Sequence, residues 1–197
     1  MIGWSGRRIA AIDLETTGID VASAEIVQVG LSRPHTIHAG ALGDIDSRAW
    51  LVKPSRPIPP SASAIHGYDD AAVADAPAFA EILPEIQAET ADVDLLVTFN
   101  GAKFDLPILH RYDLDWTGDH LDVFRVWCRV RDLNLESPAT GILSSRFTRS
   151  LGSAMVWLLG REPTEYRAHH ADADCEMTLR LADYFVGRFG LDACLHL

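Results

Sequence analysis

Ile9-Ala10-Ala11-Ile12-Asp13-Leu14-Glu15-Thr16-Thr17-Gly18 is the stretch from which the rest of the chain is read. An apolar run enters, two carboxylates stand two residues apart, and a Thr-Thr-Gly turn leaves. On a β-strand, residues i and i+2 face the same side. A strand that persists through residue 15 therefore projects Asp13 and Glu15 together. Two like charges side by side repel, and the arrangement is costly unless a cation sits between them. Hard oxygen ligands of this kind suit Mg²⁺ or Mn²⁺. The plain alternative is a strand that ends in solvated acids before a turn. One acidic pair does not decide between the two, so the remaining sequence has to supply partners.

The 197 residues are compatible with one domain, residues 1–197, and a well-buried core. A composition 48% hydrophobic and 23% charged is that of a soluble globular chain. No apolar run approaches a membrane span, and residues 1–8 lack an apolar signal core, so a cytoplasmic protein with no membrane partner is expected. Cys128, Cys175 and Cys194 are widely spaced and form neither a zinc pattern nor a disulfide framework. The net charge of −11 argues against a protein that coats nucleic acid through a broad basic surface. It leaves open an enzyme that grips one phosphate through metal ions.

Residues 8–13 read as a buried strand, 25–31 as a second, and 49–52 as a short third, giving an antiparallel meander. Residues 32–47, with Pro34, Gly40 and Gly43, read as a loop. Four prolines between 54 and 60 make a rigid connector, followed by a short helix over 61–66 closed by Gly67. Phe79, Ile82, Leu83 and Ile86 have the spacing of an amphipathic helix over 76–89, with Pro77 in its first turn. Residues 95–99 form a buried fourth strand that Asn100-Gly101 breaks. Helices are expected over 104–112, 121–133, 151–159 (ended by Gly160) and 171–189 (ended by Gly190), with a polar loop over 134–148. The order suggests one α/β domain with a mixed sheet.

Two further clusters can meet the first acid pair. The fourth strand ends in Asn100-Gly101-Ala102-Lys103-Phe104-Asp105, and if it lies beside the first strand, Asp105 opens a helix close to Asp13 and Glu15. The segment Ala168-His169-His170-Ala171-Asp172-Ala173-Asp174 adds histidines and acids at a helix start. Phosphodiester hydrolysis with two cations roughly 4 Å apart needs several carboxylates to hold them. A histidine near neutral pKa can take the proton from the attacking water.

These three motifs, in this order, resemble those of the DEDDh (DnaQ-like, RNase T-type) 3′→5′ exonucleases, over about residues 8–188. Ile65-His66-Gly67 resembles the His-Gly turn that these enzymes place between the first two motifs, and Leu121-Asp122 sits where the family often has a buried aspartate. The resemblance implies a ribonuclease-H-like α/β fold, a mixed β-sheet flanked by helices. It implies two ions, Mg²⁺ or Mn²⁺, held by Asp13, Glu15, Asp105 and Asp174, with His169 as the general base. His169 has the DEDDh spacing to Asp174, whereas His170 stands four before Asp174, the spacing that tyrosine uses in the sister DEDDy group. An i, i+5 pair on one ideal helix lies about 140° apart, so His169 is expected before the helix, on a loop. Asp172 is the decoy acid, solvated or near the helix cap.

Thr16, His66, Asn100 and Phe104 are candidate substrate contacts, Phe104 by stacking on a base. Each has an alternative structural use, in a turn or in the core. The function implied is release of nucleoside 5′-monophosphates from single-stranded or frayed 3′ ends, with DNA favoured. Alternatives are a polymerase-associated proofreading subunit, a non-catalytic nucleic-acid-binding module, and an RNase T- or oligoribonuclease-like exoribonuclease. A polymerase partner is possible, although no tail for one is evident.

Overall fold

In a computed structural model, the described residues are Gly3, Trp4, 6–166 and 169–197. The central strand is β1 (Ile9–Thr16). It pairs antiparallel with β2 (Ile26–Pro34), which pairs antiparallel with β5 (Ile45–Leu51). Between those two, β3 (Ile37–His38) and β4 (Ala41–Leu42) form a small separate hairpin inside the expected loop. On its other side β1 pairs parallel with β6 (Leu95–Thr98), which pairs parallel with β7 (Asp119–Asp122). The sheet order is β5-β2-β1-β6-β7, so the expected meander and the placing of the fourth strand beside the first are both present. This mixed sheet with helices on its faces is a ribonuclease-H-like α/β fold.

β7 is a correction, because residues 121–122 are expected as the start of the helix that follows and 119–120 carry no expected element. The helices are α1 (Pro60–His66), α2 (Phe79–Thr90), α3 (Asp105–His110), α4 (Val123–Asp132), α5 (Leu151–Leu159), α6 (Ala171–Phe189) and α7 (Leu191–Leu195), the last unexpected. A 3₁₀ turn spans Ser144–Arg146. Gly67 closes α1 in the left-handed region at φ 81°, where a side chain would be strained.

The period-2 logic of β1 organises both cores. Ala10, Ile12 and Leu14 join the apolar cluster under α2 and α3. Ile9 and Ala11 join the cluster under α4, α5 and α6. Asp13 and Glu15 continue that second stripe, so the carboxylates stand on the α6 side just where the apolar residues stop. Along α6, Cys175, Leu179, Ala182, Phe185 and Val186 form the buried face that seats it on the sheet. Among the described residues, no helix is long and apolar enough to cross a membrane.

Candidate active site

Three seams bring the acids together. The first is β2 against the start of α6. In the β1–β2 register, Asp13 lies opposite Gly30, Glu15 opposite Gln28 and Ala11 opposite Ser32. Opposed residues share a face, so Gln28, Gly30 and Ser32 make a stripe beside the acid pair. A Cβ on Gly30 would stand 2.1 Å from the carbonyl carbon of Ala171, so only glycine lets the helix backbone lie this low on the strand. Gln28 Oε1 accepts from the Ala171 N–H at 2.9 Å, and Ser32 Oγ donates to the Asp172 carbonyl at 3.2 Å. The first turn of α6, and Asp174 with it, is thereby seated beside Asp13.

The second seam is the end of the β1–β6 pairing, which stops at Ala11↔Val97. Beyond it the edge of β1 is open to α3. The buried Asp105 carboxylate accepts from the backbone N–H groups of Leu14 and of Asp105 itself. The third seam holds the loop that carries Asp105. Asp122, at the end of β7, accepts from the N–H groups of Asn100 at 2.8 Å, Ala102 at 3.3 Å and Phe124 at 3.1 Å. It thus caps α4 and ties down a loop in which Asn100 adopts φ 69°. Asn100 is engaged here through its backbone.

The electrostatics follow from this crowding. Burial, then Asp105, Asp174 and Glu15, push the Asp13 carboxyl well above the usual carboxylate range. Glu15 is pushed up to about 8 by burial, then by Asp174 and Asp105. Asp105 is raised to about 7, chiefly by burial, against the pull of its backbone donors and with a further push from Asp122. Asp174 is raised to about 6 by burial, which the neighbouring His169 partly opposes. Among the described residues, no lysine or arginine pairs with any of these four acids. Donor atoms of Glu15, His169 and Asp174 all lie within 4.8 Å of one another. A set of crowded hard-oxygen donors without a lysine or arginine partner fits a divalent cation, which would replace mutual repulsion with attraction.

His169 is exposed, precedes the helix, and sits at φ 60°, an uncommon conformation for a residue with a side chain. Its backbone N–H donates to the Asp174 carboxylate. His170 takes another direction: its Nδ1 lies 2.6 Å from Tyr68 Oη. Asp172 is half-buried in the first turn of α6, where its charge complements the helix dipole.

The remaining sequence candidates are scattered around this centre. Thr16 is buried, and its hydroxyl donates to the Gly18 carbonyl at 2.7 Å, closing the turn. Just beyond it, Ile19 is 89% exposed. Phe104 is half-buried and packs on the core under α2 and α3. His66 is 3% exposed; its Nδ1 accepts from the Tyr68 N–H at 3.1 Å, and burial lowers its pKa. Its ring thus stands behind the Thr16 turn rather than in the open.

A pocket of about 370 Å³ opens beside His169 and Asp174, walled by Ser150, Leu151 and Gly152 of the α5 start and by residues 162–164. Nothing in the sequence motifs had pointed to the α5 start as a wall of the site. Two larger clefts, of about 590 and 600 Å³, contain none of the acids.

The family profile RNase_T, described as exonuclease, matches residues 10–182. The chain is 40% identical over 103 residues to a DNA polymerase III subunit epsilon-like protein of Rhodobacter capsulatus, covering 52% of this chain and 14% of that one. It thus spans about a seventh of that relative. It is 30% identical over 190 residues to an uncharacterized exonuclease, CP81, of Escherichia phage 186, covering 87% of this chain and 84% of that one. Among solved structures, Exonuclease X in complex with 5′ overhanging duplex DNA superposes with a TM-score of 0.65 at 23% identity, over 95% of this chain and 98% of the other. That likeness shows the shared fold.

Proposed function

Because the chain belongs to the RNase_T exonuclease family, we propose that it is a metal-dependent 3′→5′ exonuclease that releases nucleoside 5′-monophosphates from single-stranded or frayed DNA ends. The observation that carries the reading is the convergence of Asp13, Glu15, Asp105 and Asp174 with no lysine or arginine partner among the described residues, beside an exposed histidine. The DNA named in the descriptions of the Rhodobacter relative and of the Exonuclease X complex supports DNA over RNA.

Asp13, Glu15 and Asp174 would hold one Mg²⁺ or Mn²⁺, and Asp105, with Asp13, a second. Bound there, the cations supply Lewis-acid polarisation of the phosphoryl oxygens and stabilise both the attacking and the leaving oxygen. His169 takes the proton from the attacking water, and its exposure lets that proton pass on to solvent. The α5 start walls the pocket next to this base. The Thr16–Gly18 turn, backed by His66, presents its backbone and the exposed Ile19 to the terminal nucleotide. Asn100 positions the second motif through its backbone, and Phe104 offers a half-buried ring edge to a base.

The test uses purified protein with 5′- or 3′-labelled single-stranded DNA in Mg²⁺, Mn²⁺ or EDTA. The expected result is a metal-dependent ladder that shortens from the 3′ end, with a 3′ label lost first as the mononucleotide. Release of a 5′ label first, or activity undiminished in excess EDTA, overturns the reading.

A further inference from the structure

The adjacent histidines His169 and His170 point to different tasks. Gln28 is 4% exposed and stands opposite Glu15 across the β1–β2 pair. Its side-chain amide has one orientation, because the Ala171 N–H can only donate, and Oε1 is the atom that receives it at 2.9 Å. Gln28 Nε2 therefore faces Tyr68 Oη, at 2.8 Å, and donates to it. The phenol oxygen accepts this bond and is itself hydrogen-bonded to His170 Nδ1 at 2.6 Å, the donor there being set by the tautomer of the imidazole. The rings of Tyr68 and His170 also meet edge to face at 5.2 Å, and Tyr68 stacks on the buried His66 at 5.6 Å.

We propose that Gln28, Tyr68 and His170 form a positioning relay that locks the 169–171 turn onto β2 and so presents the His169 ring to the acid cluster. His170 is then a positioning residue, with its ring turned to Tyr68 and away from the reacting atoms. The relay bridges three distant parts of the chain, the start of β2, the residue after Gly67 and the entry to α6, and its first member stands opposite Glu15. A rigid hold matters here because His169 sits at a positive φ that its own side chain does not favour. Hydrogen-bonding partners one shell out from a metal centre contribute roughly 10–100-fold to activity. The inference rests on the reading of His169 as the base.

The test measures kcat and KM on a short single-stranded oligo(dT) with Mn²⁺, together with thermal melting. Tyr68→Phe keeps the ring but removes the hydroxyl, and His170→Leu removes the imidazole that bonds to it. Both are expected to lose about tenfold or more in kcat with KM and melting temperature little changed. His170→Asn keeps a hydrogen-bonding group close to the place of Nδ1 and is expected to hold most of the activity. His169→Asn is expected to lose about a hundredfold or more. Full kcat in both Tyr68→Phe and His170→Leu overturns the relay. So does a His170→Asn enzyme as impaired as His169→Asn, because His170 would then carry the proton. A fully active His169→Asn enzyme overturns the assignment of the base and the relay with it, whereas an impaired His169→Asn beside full kcat in Tyr68→Phe and His170→Leu overturns the relay alone.

Discussion

The acids and the histidine of this site are held in opposite ways. Asp13 and Glu15 stand on the central strand, and Asp105 is buried against the backbone of that strand. These groups repel one another, so they persist together only where the surrounding sheet fixes them. His169 stands in an exposed turn at positive φ, and it is steadied through its neighbours rather than by its own packing. The contrast teaches that a fold stores electrostatic strain in its stiffest part and leaves the histidine, the proposed proton acceptor, where it can exchange with solvent. The place where the two regimes meet is Gly30, on which the first turn of α6 rests.

The sharpest way to break the comparison is at the strand. Asp13→Ala is expected to reduce nuclease activity to background while the fold persists, checked by the labelled-DNA assay and circular dichroism. Without metal the variant is expected to melt higher than the wild type, because one member of a repelling set is gone. Next comes the seam. Gly30→Ala forces a methyl into the Ala171 carbonyl, and overpacking of this kind costs about 1–3 kcal/mol. Chemical denaturation should show that loss. kcat should fall with it, because α6 carries Asp174 and His169 precedes it.

A pH series sharpens the same point without mutation. Glu15, Asp105 and Asp174 have folded pKa values near 8, 7 and 6, all above their ordinary range. A raised folded pKa means the native state binds more protons than the unfolded chain between the ordinary value and the folded one. The metal-free protein is therefore expected to lose stability steadily as pH rises from the ordinary carboxylate range to about 8. Mg²⁺ or Mn²⁺ should flatten that slope, as differential scanning calorimetry would show. The smallest effect is expected at the brace. Asp122→Asn keeps one accepting oxygen and disturbs one of three backbone bonds, a cost of about 1 kcal/mol, with a modest fall in kcat.

Much of this arrangement was legible in the sequence, for physical reasons. The i, i+2 acids sit on a strand long enough to show its period, and α5 and α6 run between the residues expected from their apolar stripes and closing glycines. The family resemblance paired His169 with Asp174, the i, i+5 angle then put His169 off the helix, and the backbone there is indeed non-helical. β7 escaped because Asp119-His120-Leu121-Asp122 is a four-residue edge strand, half of it not buried, running straight into a strong helical pattern. The β3–β4 hairpin has two residues on each side, too few to display alternation. The relay was beyond reach, because Gln28, Tyr68 and His170 are brought together only by tertiary structure; Gln28 and Tyr68 read as ordinary polar residues, and His170 only as the alternative to His169. The same holds for the α5 start as a wall of the pocket.

The central claim is that the four carboxylates form a cation site, and calorimetric titration of Mn²⁺ into metal-free protein near pH 8 tests it most directly. The wild type is expected to give saturable binding and a melting temperature that climbs with Mn²⁺ concentration, since a ligand that binds only the native state stabilises it. Asp13→Asn is expected to lose most of both signals. Absence of binding and of any thermal shift in the wild type would contradict the account.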